Sequence, residues 1–221
     1  MNTLAEENYL KALYHLTMQT PEGAYTNYIA AYLQTKASSV TDMLKKLSSK
    51  KLVHYKKYQG VTLSKKGKQK ALQVIRKHRL WEYFLVEKLN FRWDEVHEIA
   101  EQLEHIQSDE LINRIDKLLG FPKYDPHGDP IPDANGYYEE IPFLTLFAIP
   151  VGEMVTICGV IDSSVSFLKL IENIGLTIGT LIKVEEIFEF DHSLKIAIPS
   201  RKTKVLVSQQ ISKNVLVKIK K

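Results

Sequence analysis

The chain has 221 residues, of which 44% are hydrophobic and 25% are charged, and its formal net charge at pH 7 is +4. These proportions fit a globular protein of one to three domains. No apolar run is long enough to cross a membrane and no signal-peptide pattern is visible, so we expect neither feature. The single cysteine, Cys158, excludes an intramolecular disulfide and fits a cytoplasmic protein.

The charges are divided unevenly along the chain. Between residues 36 and 79 there are fourteen lysines and arginines and a single acid, Asp42. Between residues 80 and 125 there are eleven acids and five lysines or arginines. Adjacent segments of opposite sign predict different partners, a polyanion for the first segment and a cation for the second.

The first third of the chain predicts a winged helix-turn-helix. An apolar stripe predicts a helix over residues 4–18, and Asn27 is suited to cap a short helix through Leu33. Ser38 or Ser39 is suited to cap the next helix, VTDMLKKLSSKK. The alternating residues and basic turn of LVHYKKYQGVTL then predict a two-stranded wing.

In such a fold the second helix of the motif enters the major groove of DNA and the wing reaches the phosphate backbone. The side chains best placed to meet base edges are Ser38, Ser39, Thr41 and Asp42. Asp42 can accept from a cytosine amino group or, equally well, interact with the helix dipole. Phosphate contacts are expected from Lys36, Lys45, Lys56 and Lys57. A merely solvated lysine face is the alternative.

The next predicted element is a long helix, which Ser64 is suited to cap and which ends near Leu89. His78 and Glu82 lie one turn apart on it, a spacing that fits half of a metal site but is common by chance. The following stretch, DEVHEIAEQLEHI (residues 94–106), predicts a helix that runs to His105 or beyond.

One face of that second helix carries two imidazoles and two carboxylates within roughly 100° of one another, namely His97, Glu101, Glu104 and His105. Imidazole nitrogen and carboxylate oxygen suit first-row divalent metals. A solvated acidic face is the alternative. The basic winged helix and the His78/Glu82 pair favour the metal site.

Beyond this helix the pattern becomes β-rich. Ser108 is suited to cap a helix through Leu119, and residues 121–149 form a Pro-, Gly- and Asp-rich connection in which His127 is expected to be an exposed bystander. A helix is expected over residues 163–174. Five short strands suggest a small barrel; they are Met154–Val160, Leu181–Phe190, Leu194–Ile198, Lys204–Val207 and Val215–Ile219.

Taken together, several stretches resemble the diphtheria toxin repressor family of metal-dependent regulators, and in particular its manganese-responsive members. They are NYLKALYHL, SSVTDMLKKLSSKKLVHYKKYQGVTLSKKGK, RKHRLWEYFL, VHEIAEQLEHIQSDEL and GDPIP. The resemblance covers essentially the whole chain. It implies a mainly α protein with a small β domain: a winged helix (1–72), a helical metal-binding and dimerisation region (73–140) and an SH3-like barrel (150–221).

The resemblance also implies two metal positions per subunit. Its primary-site motif maps onto Asn8, Glu101, Glu104 and His105, and its ancillary motif onto His78, Glu82 and His97. Relatives with CPHG in the connection use that cysteine as a ligand, so Asp125 of DPHG is expected to replace it. Asp162 is the expected ligand from the barrel, with Ser163 and Ser166 as competing alignments.

At two positions the chain departs from the family pattern, and at a third it has the residue of one branch of the family. Iron-sensing members carry cysteine where Glu101 stands, and a carboxylate there shifts the preference towards Mn²⁺, although Fe²⁺ still binds. Asn8 stands where relatives have Met or Asp. Lys11 stands where manganese-specific relatives can carry a Glu ligand, which argues against a binuclear site that relies on that Glu.

These features predict a dimeric repressor of metal-homeostasis genes that binds palindromic double-stranded operator DNA when Mn²⁺ or Fe²⁺ orders the dimer. We expect no organic cofactor, no membrane partner and no enzymatic activity. The alternatives are a winged-helix regulator that senses an organic ligand and a metal-dependent hydrolase. The hydrolase is disfavoured because the acidic helix lacks HExxH and four protein ligands leave little room for a reacting water.

Overall fold

The computed structural model describes residues 3–20, 22–56, 59–139 and 143–219. Its helices and strands follow in chain order: α1 (Leu4–Gln19), α2 (Thr26–Tyr32), α3 (Ala37–Ser49), β1 (Val53–His54), β2 (Thr62–Leu63), α4 (Lys65–Leu89), α5 (Val96–Leu103), α6 (Asp109–Leu118), β3 (Leu144–Thr145), β4 (Met154–Val160), α7 (Val165–Asn173), β5 (Leu181–Ile187), β6 (Leu194–Ile198), β7 (Thr203–Val207), α8 (Gln209–Asn214) and β8 (Val215–Ile219).

The chain forms two compact units. Unit 1 comprises Met1–Trp81, Glu101–Leu118 and Ile131–Tyr138, and unit 2 comprises Glu82–Ala100, Leu119–Pro130 and Glu139–Lys221. The predicted fold class is confirmed, because unit 1 contains a helix-turn-helix with a two-stranded wing and unit 2 contains a small antiparallel sheet. The bounds of the three predicted domains stay predictions.

Unit 1 is built around the apolar faces of its helices. Thr3 and Glu6 form a reciprocal capping box at the start of α1, and the wing strands pair antiparallel, Val53 with Leu63 and His54 with Thr62. Helical spacing brings the apolar residues together in one core, whose fully buried members include Leu10, Leu13, Ile29, Val40, Leu44, Leu47 and Leu52.

The helix-turn-helix begins its two helices earlier than the capping residues predicted. Tyr25, not Asn27, precedes α2, because Ala24 is held extended by two backbone hydrogen bonds to Val61 (2.9 and 3.0 Å). Lys36, not Ser38 or Ser39, precedes α3 and makes no side-chain cap bond. The two serines therefore lie within the first turn of α3. By contrast, Ser64 caps α4 as predicted, accepting from Gly67 N (3.0 Å).

The acidic helix is shorter than its pattern predicted. α5 ends at Leu103, and Ile106 N donates to Leu103 O (3.1 Å) in a tighter turn. Lys77 Nζ donates to the Ile106 carbonyl (3.1 Å) and holds this turn in place. Glu104 and His105 therefore lie just beyond the helix.

Unit 2 contains a six-stranded sheet in the order β3-β8-β4-β5-β6-β7, with every neighbouring pair antiparallel. Three strands have the predicted bounds, but β5 ends at Ile187 because Phe188 N and Ser193 O (2.9 Å) close a turn. Neither β3 nor α8 was predicted. The core between the sheet and α7 is apolar throughout, and its members include Trp93, Val155, Leu168, Ile171, Ile182, Val184, Leu194 and Ile196.

The Pro-rich connection packs against a bulge in the sheet. The register of β4 on β8 shifts between Ile157 and Gly159. Gly128 lies against it with φ +91, and a Cβ at Gly128 would lie 2.3 Å from the Cys158 carbonyl oxygen. Val160 N also donates to the His127 carbonyl (3.0 Å). These contacts fix the position of His127.

Candidate metal centre and nucleic-acid interface

The first cluster of polar side chains lies in unit 1 and starts on α1. Glu7 and Lys11 are four residues apart and therefore share a face of this helix, with Asn8 beside them. Glu7 is buried and Asn8 is half-buried. The Oδ1 atom of Asn8 is enclosed and has no hydrogen-bond partner among the described residues. An enclosed amide oxygen is able to serve as a ligand for a hard cation.

The segment from Glu101 to His105 brings two carboxylates to the same lysine. Lys11 Nζ donates to Glu101 Oε1 (2.5 Å) and to both carboxylate oxygens of Glu104 (2.7 and 2.8 Å). Glu104 is fully buried, whereas the side chain of Glu101 is 37% exposed.

His105 completes the predicted primary set through a residue that the sequence did not single out. Its Nδ1 lies 2.7 Å from Glu7 Oε2, and its Nε2 lies 3.6 Å from Glu104 Oε1. Gln107 Nε2 also donates to Glu7 (2.9 Å). When one ring nitrogen of a histidine is held by a carboxylate, the other is oriented as a metal ligand. Glu7 therefore orients His105 so that Nε2 faces the carboxylates.

His78 contacts a carboxylate of the predicted primary set. Its Nδ1 lies 2.6 Å from Glu104 Oε2 inside unit 1. Its assignment to an ancillary site with Glu82 and His97 stays a prediction. The unit 1 cluster thus combines two imidazoles, three carboxylates, an amide oxygen and one ammonium.

The composition of this cluster fits a divalent cation. Glu7, Glu101 and Glu104 supply three carboxylates against the single ammonium of Lys11, a formal excess of two negative charges. Oxygen and imidazole donors suit Mn²⁺ and Fe²⁺, and the enclosed Asn8 Oδ1 still lacks a partner.

A second cluster lies in unit 2, where Glu82, Asp125 and His127 are all buried. One ligand atom from each lies within 4.8 Å of the other two. Asp125 Oδ1 also accepts from the backbone N–H groups of His127 (2.8 Å) and Asp129 (2.9 Å). Burial of two carboxylates beside an imidazole is the arrangement of a metal site with nitrogen and oxygen ligands.

The expectation that His127 is an exposed bystander was wrong. Its Nε2 donates to the Trp93 carbonyl (2.8 Å), and its Nδ1 lies 3.5 Å from Glu82 Oε2. Burial disfavours the charged ring, but the Glu82 hydrogen bond and the charges of Glu82 and Asp125 outweigh it and raise the pKa of His127 to about 9. The bond to Trp93 directs Nδ1 towards the carboxylates.

The other predicted ligands of unit 2 have different surroundings. His97 Nδ1 lies 3.2 Å from Glu82 Oε1, and the His97 side chain is 59% exposed. Asp162 is exposed at the approach to α7, where its Oδ1 accepts from Ser164 N (2.9 Å). This bond gives Asp162 a turn-forming role, so its role as a ligand stays a prediction.

Most of the predicted DNA-binding side chains lie at the surface of unit 1. Lys36, Ser38, Ser39, Asp42, Lys45 and Lys56 are exposed. Thr41 is half-buried and its hydroxyl donates to Ala37 O (3.0 Å). Asp42 accepts from Lys45 (3.3 Å). Lys57 lies outside the described residues.

The rear of the same helix is held by a buried carboxylate. Glu6 is fully buried and contacts Lys46 (3.0 Å) and Lys50 (2.7 Å) of α3. Burial opposes ionisation, but these two lysines and the Thr3 backbone N–H outweigh it and lower the pKa of Glu6 to about 2. Glu6 thereby fixes α3, the predicted recognition helix, to α1.

Sequence reasoning missed the contacts of Glu6, Glu7 and His127. Glu6 follows Thr3 at capping-box spacing, and that signal also explains the residue as a helix cap. Glu7 and Lys11 were visible as an i, i+4 pair, but their partners are about ninety residues away in the sequence. The position of His127 depends on the bulge in β4.

A winged helix combined with buried clusters of carboxylates and imidazoles defines a metal-responsive DNA-binding protein. Comparison with known families agrees. The model of the iron-dependent repressor N-terminal DNA-binding domain matches residues 1–61, and that of the iron-dependent repressor metal-binding and dimerisation domain matches residues 64–133. A FeoA domain model, which corresponds to the SH3-like sheet, matches residues 144–219. The chain belongs to the diphtheria toxin repressor family of metal-dependent transcriptional repressors.

Individual relatives agree with this assignment. The chain is 34% identical over 136 residues to the iron-dependent repressor IdeR of Mycobacterium tuberculosis, covering 60% of this chain and 58% of the relative. It is 37% identical over 109 residues to an HTH-type transcriptional regulator of Methanocaldococcus jannaschii, covering 49% of this chain and 87% of the relative. It also matches 19% of a probable metal transport system membrane protein of Chlamydia trachomatis, with 43% identity over 86 residues, which is 39% of this chain.

Solved structures extend the similarity over nearly the whole chain. A manganese-dependent transcriptional repressor in complex with manganese has a TM-score of 0.85 and 34% identity, covering 97% of this chain and 99% of that one. ScaR with bound Zn²⁺ has a TM-score of 0.75 and 32% identity, with the same coverage of each chain. These relatives are repressors rather than enzymes, which argues against the hydrolase alternative. In the described part of the chain, no helix is both long and apolar enough to cross a membrane.

Proposed function

We propose that this protein is a cytoplasmic, dimeric repressor of metal-homeostasis genes that Mn²⁺ or Fe²⁺ activates for binding to palindromic double-stranded DNA. One observation carries the proposal. Three consecutive residues of α1 connect the DNA-binding helix with the proposed metal site. Glu6 contacts Lys46 and Lys50 of the recognition helix, and Glu7 contacts His105. Asn8 presents an enclosed oxygen that has no hydrogen-bond partner among the described residues. A change at the metal centre is therefore transmitted to the DNA-binding helix through a single helix.

Two metal positions per subunit are supported by the two clusters. In unit 1 the proposed ligands are Asn8, Glu101, Glu104 and His105, with His78 beside Glu104. In unit 2 they are Glu82, Asp125 and His127, with His97 next to Glu82. The mainly oxygen and imidazole donors favour Mn²⁺, although Fe²⁺ suits the same set.

When bound in unit 1, the ion supplies positive charge that balances the clustered carboxylates. The residues of the chain do the rest. Asn8 lies on α1, whereas Glu101 lies on α5 and Glu104 and His105 lie just beyond it, so shared ligation would join these two segments. Glu6 then carries the position of α1 to Lys46 and Lys50 on α3. Affinity for metal and affinity for DNA are coupled reciprocally in such an arrangement.

In unit 2 the residues also set a pH dependence for metal binding. A ligating imidazole must be neutral, whereas Glu82 and Asp125 raise the pKa of His127 to about 9 in the metal-free protein. At neutral pH, His127 must lose a proton before its Nδ1 can serve as a ligand. Metal affinity of this cluster is therefore expected to rise with pH up to about 9.

Exposed residues of α3 are proposed to read the DNA. Ser38 and Ser39 are exposed on the first turn of α3 and Asp42 is exposed on the second, and Lys36 and Lys45 lie nearby in the sequence. The two recognition helices of a two-fold dimer present the same side chains to two half-sites, so the operator is expected to be a near palindrome.

The function is tested by measuring whether Mn²⁺ controls DNA binding. A random-sequence duplex library is selected with the protein in Mn²⁺, and affinity for the recovered duplex is measured by fluorescence anisotropy with Mn²⁺ and with EDTA. We expect Mn²⁺ to raise the affinity by about 5- to 150-fold, the usual range of allosteric coupling. Equal affinity in Mn²⁺ and EDTA would contradict the proposal. Calcium is the matched control ion.

Neutralising Lys45 should weaken DNA binding with little effect on base preference. Lys45 is exposed on α3 and pairs weakly with Asp42 at 3.3 Å. For Lys45→Gln we expect the slope of log affinity against log salt concentration to fall by about one for each subunit bound. Lys183→Gln on β5 is the control. An unchanged slope would exclude Lys45 from the phosphate contacts.

A further inference from the structure

Lys11 occupies an unusual position for a lysine in a metal-binding cluster. Its side chain is 15% exposed, and its Nζ lies 2.5 Å from Glu101 Oε1 and 2.7 and 2.8 Å from the two oxygens of Glu104. A single ammonium thus bridges two carboxylates from another segment of the chain. A metal ion that bridges two carboxylates neutralises their charge in the same way.

The net charge of the cluster indicates how many metal ions it is able to bind. With Lys11 in place, the three carboxylates Glu7, Glu101 and Glu104 exceed the ammonium by two charges, which one divalent ion neutralises. A second divalent ion would bring two positive charges next to an ammonium. Like charges a few ångströms apart in a poorly solvated site repel each other strongly. The net negative charge of the cluster is therefore balanced by one divalent ion and not by two.

The enclosed oxygen of Asn8 shows that the lysine does not complete the cluster. Asn8 precedes Lys11 by three residues on α1, yet its Oδ1 has no hydrogen-bond partner among the described residues. The ammonium contacts Glu101 and Glu104, whereas Asn8 Oδ1 lacks a hydrogen-bond partner among the described residues and His105 Nε2 lies 3.6 Å from Glu104 Oε1. One ligand position is thus filled by the chain itself, and another is left for an ion.

We propose that Lys11 takes the place of a second divalent ion, so that the unit 1 cluster binds a single metal ion per chain with the lysine as a built-in counter-charge. This inference rests on the proposed metal-binding role of the cluster. Reversing the charge at residue 11 removes the counter-charge and gives an excess of four negative charges, which two divalent ions neutralise. Lys11→Glu should therefore convert a one-ion cluster into a two-ion cluster.

The experiment counts ions in a background that lacks the second cluster. Glu82→Gln combined with His127→Ala removes two of the unit 2 ligands, so that Mn²⁺ bound by the full-length protein reports on unit 1. Calorimetric titration gives the number of ions per chain, and electron paramagnetic resonance detects spin coupling between neighbouring Mn²⁺ ions. We expect one uncoupled ion in this background, and two coupled ions after Lys11→Glu is added.

Lys11→Met is the matched neutral variant. It keeps the length of the side chain but leaves an excess of three negative charges, so one uncoupled ion is expected again, bound more tightly than in the background protein. Because loss of the lysine leaves buried Glu104 without its counter-charge, thermal unfolding is measured with and without Mn²⁺. Both variants should be destabilised in EDTA, and Mn²⁺ should restore more of the stability than it adds to the background protein.

The possible results separate this inference from the proposed function. Two coupled ions in the background protein, or one ion after Lys11→Glu, would overturn the role of Lys11 while leaving the cluster as a metal site. No Mn²⁺ binding by the background protein or by either variant would instead overturn the metal-binding role itself, and the inference with it.

Discussion

Replacing Glu104 and His105 together by alanine should abolish Mn²⁺-dependent DNA binding. Glu104 is fully buried and contacts both Lys11 and His78, and His105 is held by Glu7 with its Nε2 towards Glu104. Loss of an oriented ligand removes more than the 10- to 100-fold in metal affinity that a supporting residue typically contributes. The expected gain of about 5- to 150-fold in DNA affinity on adding Mn²⁺ should therefore disappear.

The measurement is the affinity for the selected duplex with Mn²⁺ and with EDTA, together with calorimetry of Mn²⁺ binding. Removing the carboxylate leaves Lys11 partly unpaired, so circular dichroism and thermal unfolding establish that the variant is folded. Glu104→Gln keeps the shape of the side chain and should give the same loss of metal dependence. Glu110→Ala, at an exposed acid on α6, is the control. A double variant that still binds DNA more tightly in Mn²⁺ would show that the unit 1 cluster is not the activating site.

The sequence predicted the elements of the fold better than their ends. Three strands of the small sheet have the predicted bounds, because alternating apolar residues mark both faces of a strand. The starts of α2 and α3 were misplaced because tertiary contacts, such as the pairing of Ala24 with Val61, override capping preference. The two-residue strand β3 is too short to show alternation.

Residue types predicted which side chains form the first cluster, but not all of the contacts between them. Helical periodicity placed Glu101, Glu104 and His105 on one face, although the helix ends at Leu103 and the last two residues lie in a turn. Periodicity alone did not show that His78 meets Glu104 or that Glu7 meets His105, because these pairs are 26 and 98 residues apart. The role of Lys11 likewise became visible only with its three oxygen partners.

Replacing Glu6 by glutamine should weaken both the stability of unit 1 and its coupling to metal. Glutamine keeps the capping interaction with Thr3 but removes the charge that Lys46 and Lys50 share. The pKa of Glu6 is lowered from 4.5 to about 2, which corresponds to a contribution of up to about 3 kcal/mol to the free energy of unfolding at neutral pH. The partial exposure of both lysines reduces that figure.

The pH dependence of this loss has a definite sign. A carboxyl whose pKa is depressed in the folded state stabilises the protein above its unfolded pKa, and that stabilisation is lost as the pH falls through the folded pKa. The stability difference between the parent and Glu6→Gln should thus be constant above about pH 5 and shrink between pH 4.5 and 2. Urea unfolding at a series of pH values measures it. Glu22→Gln, at an exposed residue of unit 1, should show no such dependence.

The same variant separates stability from transmission of the metal signal. If Glu6 carries the position of α1 to α3, Glu6→Gln should reduce the ratio of DNA affinities in Mn²⁺ and EDTA while leaving Mn²⁺ affinity in the absence of DNA within a few-fold, because Glu6 contributes no ligand. An unchanged ratio, in protein that is folded at the temperature of the assay, would mean that the ion orders the recognition helix by a route that bypasses the Glu6 contacts with Lys46 and Lys50.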